Sequence, residues 1–165
     1  MIAAIANAGG PDAQIVFTEA AATWRKLGLR VAGTIAVHAD DEGPCSAGFL
    51  LDIGSGERYA IRLDEAPAGT ACHLDAAGME EACAALLGQI PSADVVVLSK
   101  FGKLEAMRLG LWGAFSASLE AGKPLLTSVS PKHLAAWKAF APEATWVDAD
   151  PAAIEEWRRT AANPR

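Results

Sequence analysis

The sequence predicts an α/β fold of three layers, in which helices cover both faces of a mostly parallel sheet. Three observations favour this fold class. Short apolar runs alternate along the chain with segments of helical periodicity. The strongest apolar run, residues 94–98, contains three consecutive valines and is typical of a strand buried on both faces. The predicted elements are joined by short loops, as α/β connections usually are.

Length and composition narrow the class of protein further. The chain has 165 residues, 52% of them hydrophobic and 21% charged, which predicts one folded domain over residues 1–165 and excludes disorder. The net charge of −6 argues against a generally basic surface, so we expect neither nucleic acid nor a membrane as partner. Three cysteines cannot all pair, and the N-terminus lacks a signal-peptide pattern, so we expect a cytoplasmic protein.

The first half of the chain is predicted to contain a strand, a helix, a second strand and a hairpin. In order, these are strand 2–6, turn 7–12, helix 14–27 with Gly28 at its C-cap, and strand 30–37. Two further short strands, 48–52 and 58–63, flank a glycine-containing turn. We therefore expect a β-hairpin insertion at about residues 45–64.

The second half repeats the alternation of helices and strands. A helix starting at Asp75 or Gly78 is expected to run to residue 90 and to lead into the central strand. The elements predicted after it are strand 94–98, loop 99–105, a helix from the end of that loop to residue 121, strand 124–129, helix 131–140, strand 145–147 and helix 151–159.

The loop after the first strand is the first candidate for a binding site. It contains Asn7, Gly9, Gly10 and Asp12, and it lies where a phosphate-binding loop would precede a helix. The lysine and hydroxyl of the GxxxxGK[ST] signature are missing. Two interpretations stay open: a degenerate cradle for a nucleotide or oxyanion, or a ligand-free turn.

The loop after the central strand is the second candidate. It contains Ser99, Lys100, Gly102, Lys103 and Glu105, at the position where an active P-loop nucleotidase carries an acidic pair that binds magnesium. A lysine cannot bind that metal, but it can neutralise a phosphate or another oxyanion.

Solvated surface residues are the alternative interpretation of the same loop. The two lysines would then bind nothing, and Glu105 would pair with Arg108 at the helical i,i+3 spacing.

No metal site or catalytic set is predicted. Cys72 and His73 are adjacent and have no second Cys/His pair, while His38 and His133 are isolated. Asp75 is more simply a helix N-cap. The five tryptophans are expected mainly as core or interface anchors.

Residues 93–106, with 72–75 upstream and 121–127 downstream, resemble the uncharacterised bacterial family called domain of unknown function 2478. The order and spacing match over nearly the whole chain. The chain departs from the family's usual residues in three places: Ser99 replaces an asparagine, His73 replaces an arginine, and residues 107–110 stand where a more glycine-rich stretch is usual.

That family is in turn similar to the thermophile-type nucleoside triphosphatases, which are P-loop proteins with a β-hairpin insertion and an acidic central loop. Residues 101–105 correspond to the tail of that loop. The resemblance implies a P-loop-like fold and a site for a nucleotide or oxyanion, but not autonomous hydrolysis. It also associates the family with molybdenum handling, which makes a molybdenum oxyanion a candidate ligand.

The sequence is compatible with three functions. The first is a protein that binds a small anionic ligand (a nucleotide, phosphate or another oxyanion) without turning it over. The second is a nucleotidase or phosphotransferase that needs a partner, with Asp12, Lys100 and Glu105 as participants. The third is an interaction module, a homo-oligomer or protein-binding domain, that uses Trp112 or the hairpin.

Overall fold

The structure is a computed structural model that describes residues 1–6, 11–38, 47–63 and 74–162, apart from the side chains of residues 11, 12 and 47. Its strands are β1 (Ile2–Ala6), β2 (Val31–His38), β3 (Ala47–Asp52), β4 (Arg58–Ala60), β5 (Val95–Phe101), β6 (Leu125–Val129) and β7 (Thr145–Val147). Its helices are α1 (Pro11–Lys26), α2 (Ala76–Gln89), α3 (Lys103–Ala106), α4 (Trp112–Glu120), α5 (Leu134–Phe140) and α6 (Pro151–Ala162).

The seven strands form one sheet in the order β4-β3-β2-β5-β6-β1-β7. The five strands from β2 to β7 in that order are parallel, while β3 and β4 add an antiparallel extension beside β2. The predicted α/β class and the hairpin insertion are therefore confirmed. No helix in the described part of the chain is long and apolar enough to cross a membrane.

Helices cover the sheet on both faces, as the alternating pattern predicts. Buried side chains of α1 and α6, such as Phe17 and Trp157, pack with Val95 and Val97 on one face. Helices α2, α4 and α5 pack on the other face with the intervening side chains of β5. Because a β-strand points successive side chains to opposite faces, the valine run of β5 fills both cores.

The end of the central strand differs from the prediction. Strand β5 continues to Phe101, so Ser99 and Lys100 belong to the strand and not to a loop. The single long helix predicted up to residue 121 is also wrong, because α3 ends at residue 106 and α4 begins at residue 112. Between them, Arg108 and Gly110 adopt φ angles of 62° and 61°, a left-handed conformation that a right-handed helix cannot contain.

Other helix boundaries differ from the predicted ones by a few residues. Helix α1 begins at Pro11 instead of residue 14, and α6 continues to residue 162. The predicted helix 131–140 begins as a 3₁₀ turn at Pro131–His133 before α5 starts. Asp75 caps α2 as predicted, because its carboxylate accepts a hydrogen bond of 2.9 Å from the amide of Ala77.

Aromatic side chains fix the end of β5 against the helices of one face. The Phe101 ring contacts four other rings at centroid distances of 5.2–6.5 Å; these belong to Trp112, Phe115, Trp137 and Phe140. Three tryptophans are buried in the core as predicted, namely Trp24, Trp137 and Trp157. Trp146 on β7 departs from this pattern, since 42% of its surface is exposed.

Arg30 and Asp94 form an ion pair at the start of β2 and β5. The guanidinium donates to both Asp94 carboxylate oxygens at 2.9 and 3.2 Å, and the Arg30 amide donates at 2.8 Å. These bonds lower the pKa of Asp94 from 3.8 to about 2. A lowered pKa stabilises the folded state above pH 3.8, and this stabilisation is lost as the pH falls through 2.

We expect Asp94→Asn to lower the free energy of unfolding at pH 6 and to have a much smaller effect at pH 2, where about half of the Asp94 carboxylates are protonated. Urea titrations of both proteins at the two pH values measure this difference. Because the pair is largely exposed, 1 M salt should reduce the effect at pH 6. An effect of the same size at pH 2 would show that the ion pair does not set the pKa of Asp94.

Candidate functional site

Three parallel strands end side by side at the edge of the sheet that we call the carboxyl edge. Residue Val129 of β6 lies in register with Ala6 of β1 on one side and with Phe101 of β5 on the other. Helix α1 follows β1 on one face, whereas α5 follows β6 on the opposite face. Adjacent strands whose connections leave toward opposite faces create a crevice, the usual ligand position in open α/β sheets.

The described members of the second candidate loop lie at this crevice. Leu98 pairs with Thr127 and Phe101 with Val129, so Ser99 and Lys100 oppose the single residue Ser128 in a β-bulge. Ser99 is buried and Lys100 is exposed. The bulge therefore presents the lysine at the end of a buried strand.

Most of the first candidate loop falls in a part of the chain that the structure does not describe. Asn7, Gly9 and Gly10 lie outside the described residues. Asp12 is described only as backbone in the first turn of α1.

A buried glutamine connects the start of α1 to the bulge. The Gln14 side-chain amide donates to the Ser99 carbonyl at 2.9 Å, and its own oxygen accepts from the Ala36 amide at 2.8 Å. The Ser128 hydroxyl donates to the same Ser99 carbonyl at 2.8 Å. One helix and three strands thus converge on the residue before Lys100.

Sequence reasoning missed Gln14 as part of the site. One signal could have indicated it: this polar residue precedes Phe17 by three positions and Ala21 by seven, so it belongs to the apolar stripe of α1. A polar side chain on a buried stripe requires hydrogen-bond partners, and here the bulge supplies one of them.

Glu105 is a buried support of the loop that follows Lys100. Glu105 is 3% exposed, and its carboxylate accepts hydrogen bonds of 3.0 Å from the amides of Gly102 and Leu111. Burial raises the pKa of Glu105, while the two amides and the charge of Lys100 act in the opposite direction. Both carboxylate oxygens are therefore engaged by the chain itself.

The alternative pairing of Glu105 with Arg108 is wrong. Arg108 turns away in its left-handed conformation, and its guanidinium carbon lies 5.7 Å from the centroid of the Trp112 ring. Trp112 itself is half-buried against Phe101 and Phe140.

Lys100 and Lys103 are the exposed charges of the site. A Cβ atom at Gly102 would lie 3.4 Å from the Lys100 Cε atom, so the lysine stem lies along the loop that Glu105 holds. Neither lysine forms an ion pair with a described residue. The same described part of the chain contains no group of three His, Cys, Asp or Glu residues that could hold a metal ion.

Comparison with known families identifies one match over nearly the whole chain. The profile of a family described as "Protein of unknown function (DUF2478)" matches residues 2–157. This agrees with the resemblance carried by residues 93–106.

One curated relative and one solved structure are also similar to the chain. The relative is "Molybdenum import ATP-binding protein ModC 2" of Bradyrhizobium diazoefficiens, 30% identical over 141 residues. The match covers 84% of this chain but only 16% of that protein. The structure is that of a human cancer-related nucleoside triphosphatase, with a TM-score of 0.59, 14% identity and coverage of 97% of this chain and 92% of the other. At this identity the similarity concerns the fold, which is P-loop-NTPase-like.

Proposed function

Since the chain belongs to the family described as "Protein of unknown function (DUF2478)", we propose a function from the chemistry of its own residues. The protein binds a small oxyanion, free or as the phosphate group of a nucleotide, at the carboxyl edge between β1, β5 and β6. Where the ligand is a nucleotide, the protein binds it without hydrolysing it. The proposed ligand-binding residues are those of the two candidate loops other than Glu105, whose carboxylate is buried against the amides of Gly102 and Leu111. Lys100 is the principal charge.

The observation that carries this proposal is the Gln14–Ser99 hydrogen bond. It joins the first turn of α1 to the strand residue that precedes Lys100. The free amides and the positive end of a helix favour an anion at its N-terminus. The lysine ammonium adds a full positive charge at the same edge, so two independent sources of attraction act on one ligand.

Binding without hydrolysis follows from what occupies the expected catalytic positions. No lysine follows the glycines of the first loop, and Ser99 and Lys100 stand where an acidic pair would bind magnesium. Glu105, the carboxylate of the loop that follows Lys100, is committed to the amides of Gly102 and Leu111. A nucleotide could therefore be held by its phosphates without the groups that activate water.

Molybdate is the first oxyanion to test. The relative that matches 84% of this chain is named for molybdenum import, although the match covers only a segment of that longer protein. Molybdate and phosphate are both tetrahedral oxyanions, so a lysine and backbone amides can bind either one. The name of the same relative also contains ATP binding, which makes ATP the nucleotide to compare.

We expect Lys100→Ala to weaken oxyanion binding at least roughly tenfold, the effect of losing one charge-assisted hydrogen bond. Isothermal titration calorimetry with molybdate, phosphate and ATP measures the affinities. Lys26→Ala is the matched control, because Lys26 is an exposed lysine at the far end of α1. Its affinities should equal those of the wild type.

Two results would reject the proposal. One is the absence of binding heat with all three ligands at millimolar concentration. The other is equal affinity in the wild type and in Lys100→Ala. A phosphate-release assay with ATP and magnesium tests the second half of the proposal, since release above the buffer rate would instead indicate an enzyme.

A further inference from the structure

A second groove lies at the opposite edge of the sheet, which we call the amino edge because β2 and β5 begin there. Its volume is about 580 Å³. Small-molecule sites usually measure roughly 300–1,000 Å³, so the groove is large enough for such a ligand. Its walls come from the end of α1, the hairpin turn and the end of α2. The lining includes Arg25, Leu29, Gly54, Ser55, Gly88 and Ala93.

The hairpin wall of this groove is held from beneath by a buried carboxylate. Asp52 is 1% exposed and accepts hydrogen bonds from the amides of Gly54 and Ser55 at 2.8 and 3.0 Å. Its second oxygen accepts from the Gln89 side chain at 2.6 Å. These bonds connect the turn to α2. Because this wall is already ordered, less conformational entropy is lost when a ligand binds.

Close packing fixes the same two walls against each other. A Cβ atom at Gly54 would lie 2.3 Å from the Gln89 side-chain oxygen, so the turn packs directly against the Gln89 side chain of α2. At Gly88, in contrast, a Cβ atom would meet no other atom within 4 Å. The space in front of Gly88 is the open part of the groove.

Arg25 supplies the charge of the groove. Its guanidinium donates one hydrogen bond to the Ile53 carbonyl at 2.9 Å and forms no ion pair with a described residue. A guanidinium has five N–H donors, so several remain for a ligand. Arg30, the other arginine of the groove, is already neutralised by Asp94. Asp52 lies beneath the turn, where its carboxylate accepts hydrogen bonds from three donors.

Leu29 is half-buried and contributes apolar surface beside this charge, while Ala93 is a buried part of the lining. The Ser55 hydroxyl accepts from the Glu57 amide and retains its own proton for donation. A ligand that matches these groups carries one anionic group at Arg25 and a flat apolar body along the groove. We propose that the amino-edge groove is a second binding site, for a small aromatic or aliphatic anion such as a carboxylate or sulfonate.

Naphthalene-2-sulfonate is a suitable probe because it combines an anionic group with a planar apolar body. In ¹H–¹⁵N correlation spectra of the full chain, we expect saturable shifts of the amides of Gly54, Ser55 and Gly88 and of the Arg25 side chain. The neutral 2-naphthol should bind at least roughly tenfold more weakly, because it lacks the charge-assisted bond to the guanidinium.

Two substitutions test the site in different ways. Gly88→Leu fills the open part of the groove and should weaken binding at least roughly tenfold, without a loss of thermal stability, since leucine favours a helix over glycine. Arg25→Gln removes the charge and should reduce the affinity for the sulfonate to that for 2-naphthol. The matched control is Ala77→Leu, an exposed position on α2 three turns away from Gly88.

The proposal is overturned by either of two outcomes: shifts that map to another surface, or unchanged affinity in both Gly88→Leu and Arg25→Gln. Lys100→Ala should bind the probe like the wild type, because Lys100 lies at the opposite edge of the sheet. The amino-edge site therefore stands or fails independently of the oxyanion site.

Discussion

Replacing Gly33 with alanine is expected to lower the free energy of unfolding by at least about 4 kcal/mol, a loss that few single substitutions cause. Gly33 lies in β2 directly beside Val97 of the central strand. Its φ angle is 138°, which L-residues with a side chain rarely adopt, and an added Cβ atom would lie 1.8 Å from the Val97 carbonyl oxygen. That oxygen belongs to the backbone of Val97, which is fully buried, so neither strand can shift without disturbing both cores.

Urea unfolding of Gly33→Ala measures this effect, and Gly56→Ala is the matched control. Gly56 has a φ angle of 78°, but an added Cβ atom there meets nothing within 4 Å. The control therefore retains the backbone strain without the clash and should lose only about 1–2 kcal/mol. Equal losses in the two variants would mean that β2 does not approach β5 as closely as the structure shows.

Most elements of the fold could be predicted because their signals are local. The valine run of β5, the helical stripe from Phe17 to Trp24 and the Asp75 cap are each read from neighbouring residues. The break after α3 could not be predicted in this way. It depends on the Leu111 amide reaching a carboxylate six residues earlier, whereas the local spacing of Glu105 and Arg108 favours a continuous helix.

The candidate site, too, could be predicted only where its signals are local. Its place at the ends of parallel strands and the exposure of Lys100 follow from the predicted order of elements. The part played by Gln14 does not, because it depends on a bulge that leaves the carbonyl of Ser99, 85 residues away, to side-chain donors. Local sequence patterns do not encode which strand will bulge or which helix will lie beside it.

Glu105→Ala should lower the free energy of unfolding by about 3 kcal/mol at pH 5, because it leaves two buried amide donors, those of Gly102 and Leu111, without an acceptor. Glu105→Gln retains one acceptor oxygen and should lose about half as much. Glu120→Ala, at an exposed position of α4, is the control and should be near neutral. Urea titrations of the four proteins measure these differences.

The pH dependence of the stability loss in Glu105→Ala shows whether burial or hydrogen bonding dominates the folded-state pKa of Glu105. Because burial raises the pKa of Glu105 above 4.5 in the folded state, its stabilising contribution is complete below pH 4.5 and is lost as the pH rises through the folded-state pKa. The difference between the wild type and Glu105→Ala should therefore shrink between pH 4.5 and pH 8, while Glu120→Ala shows no such trend. A difference that instead grows with pH would mean that the two amides outweigh burial. The carboxylate would then stabilise the loop beside Lys100 most strongly in its charged form.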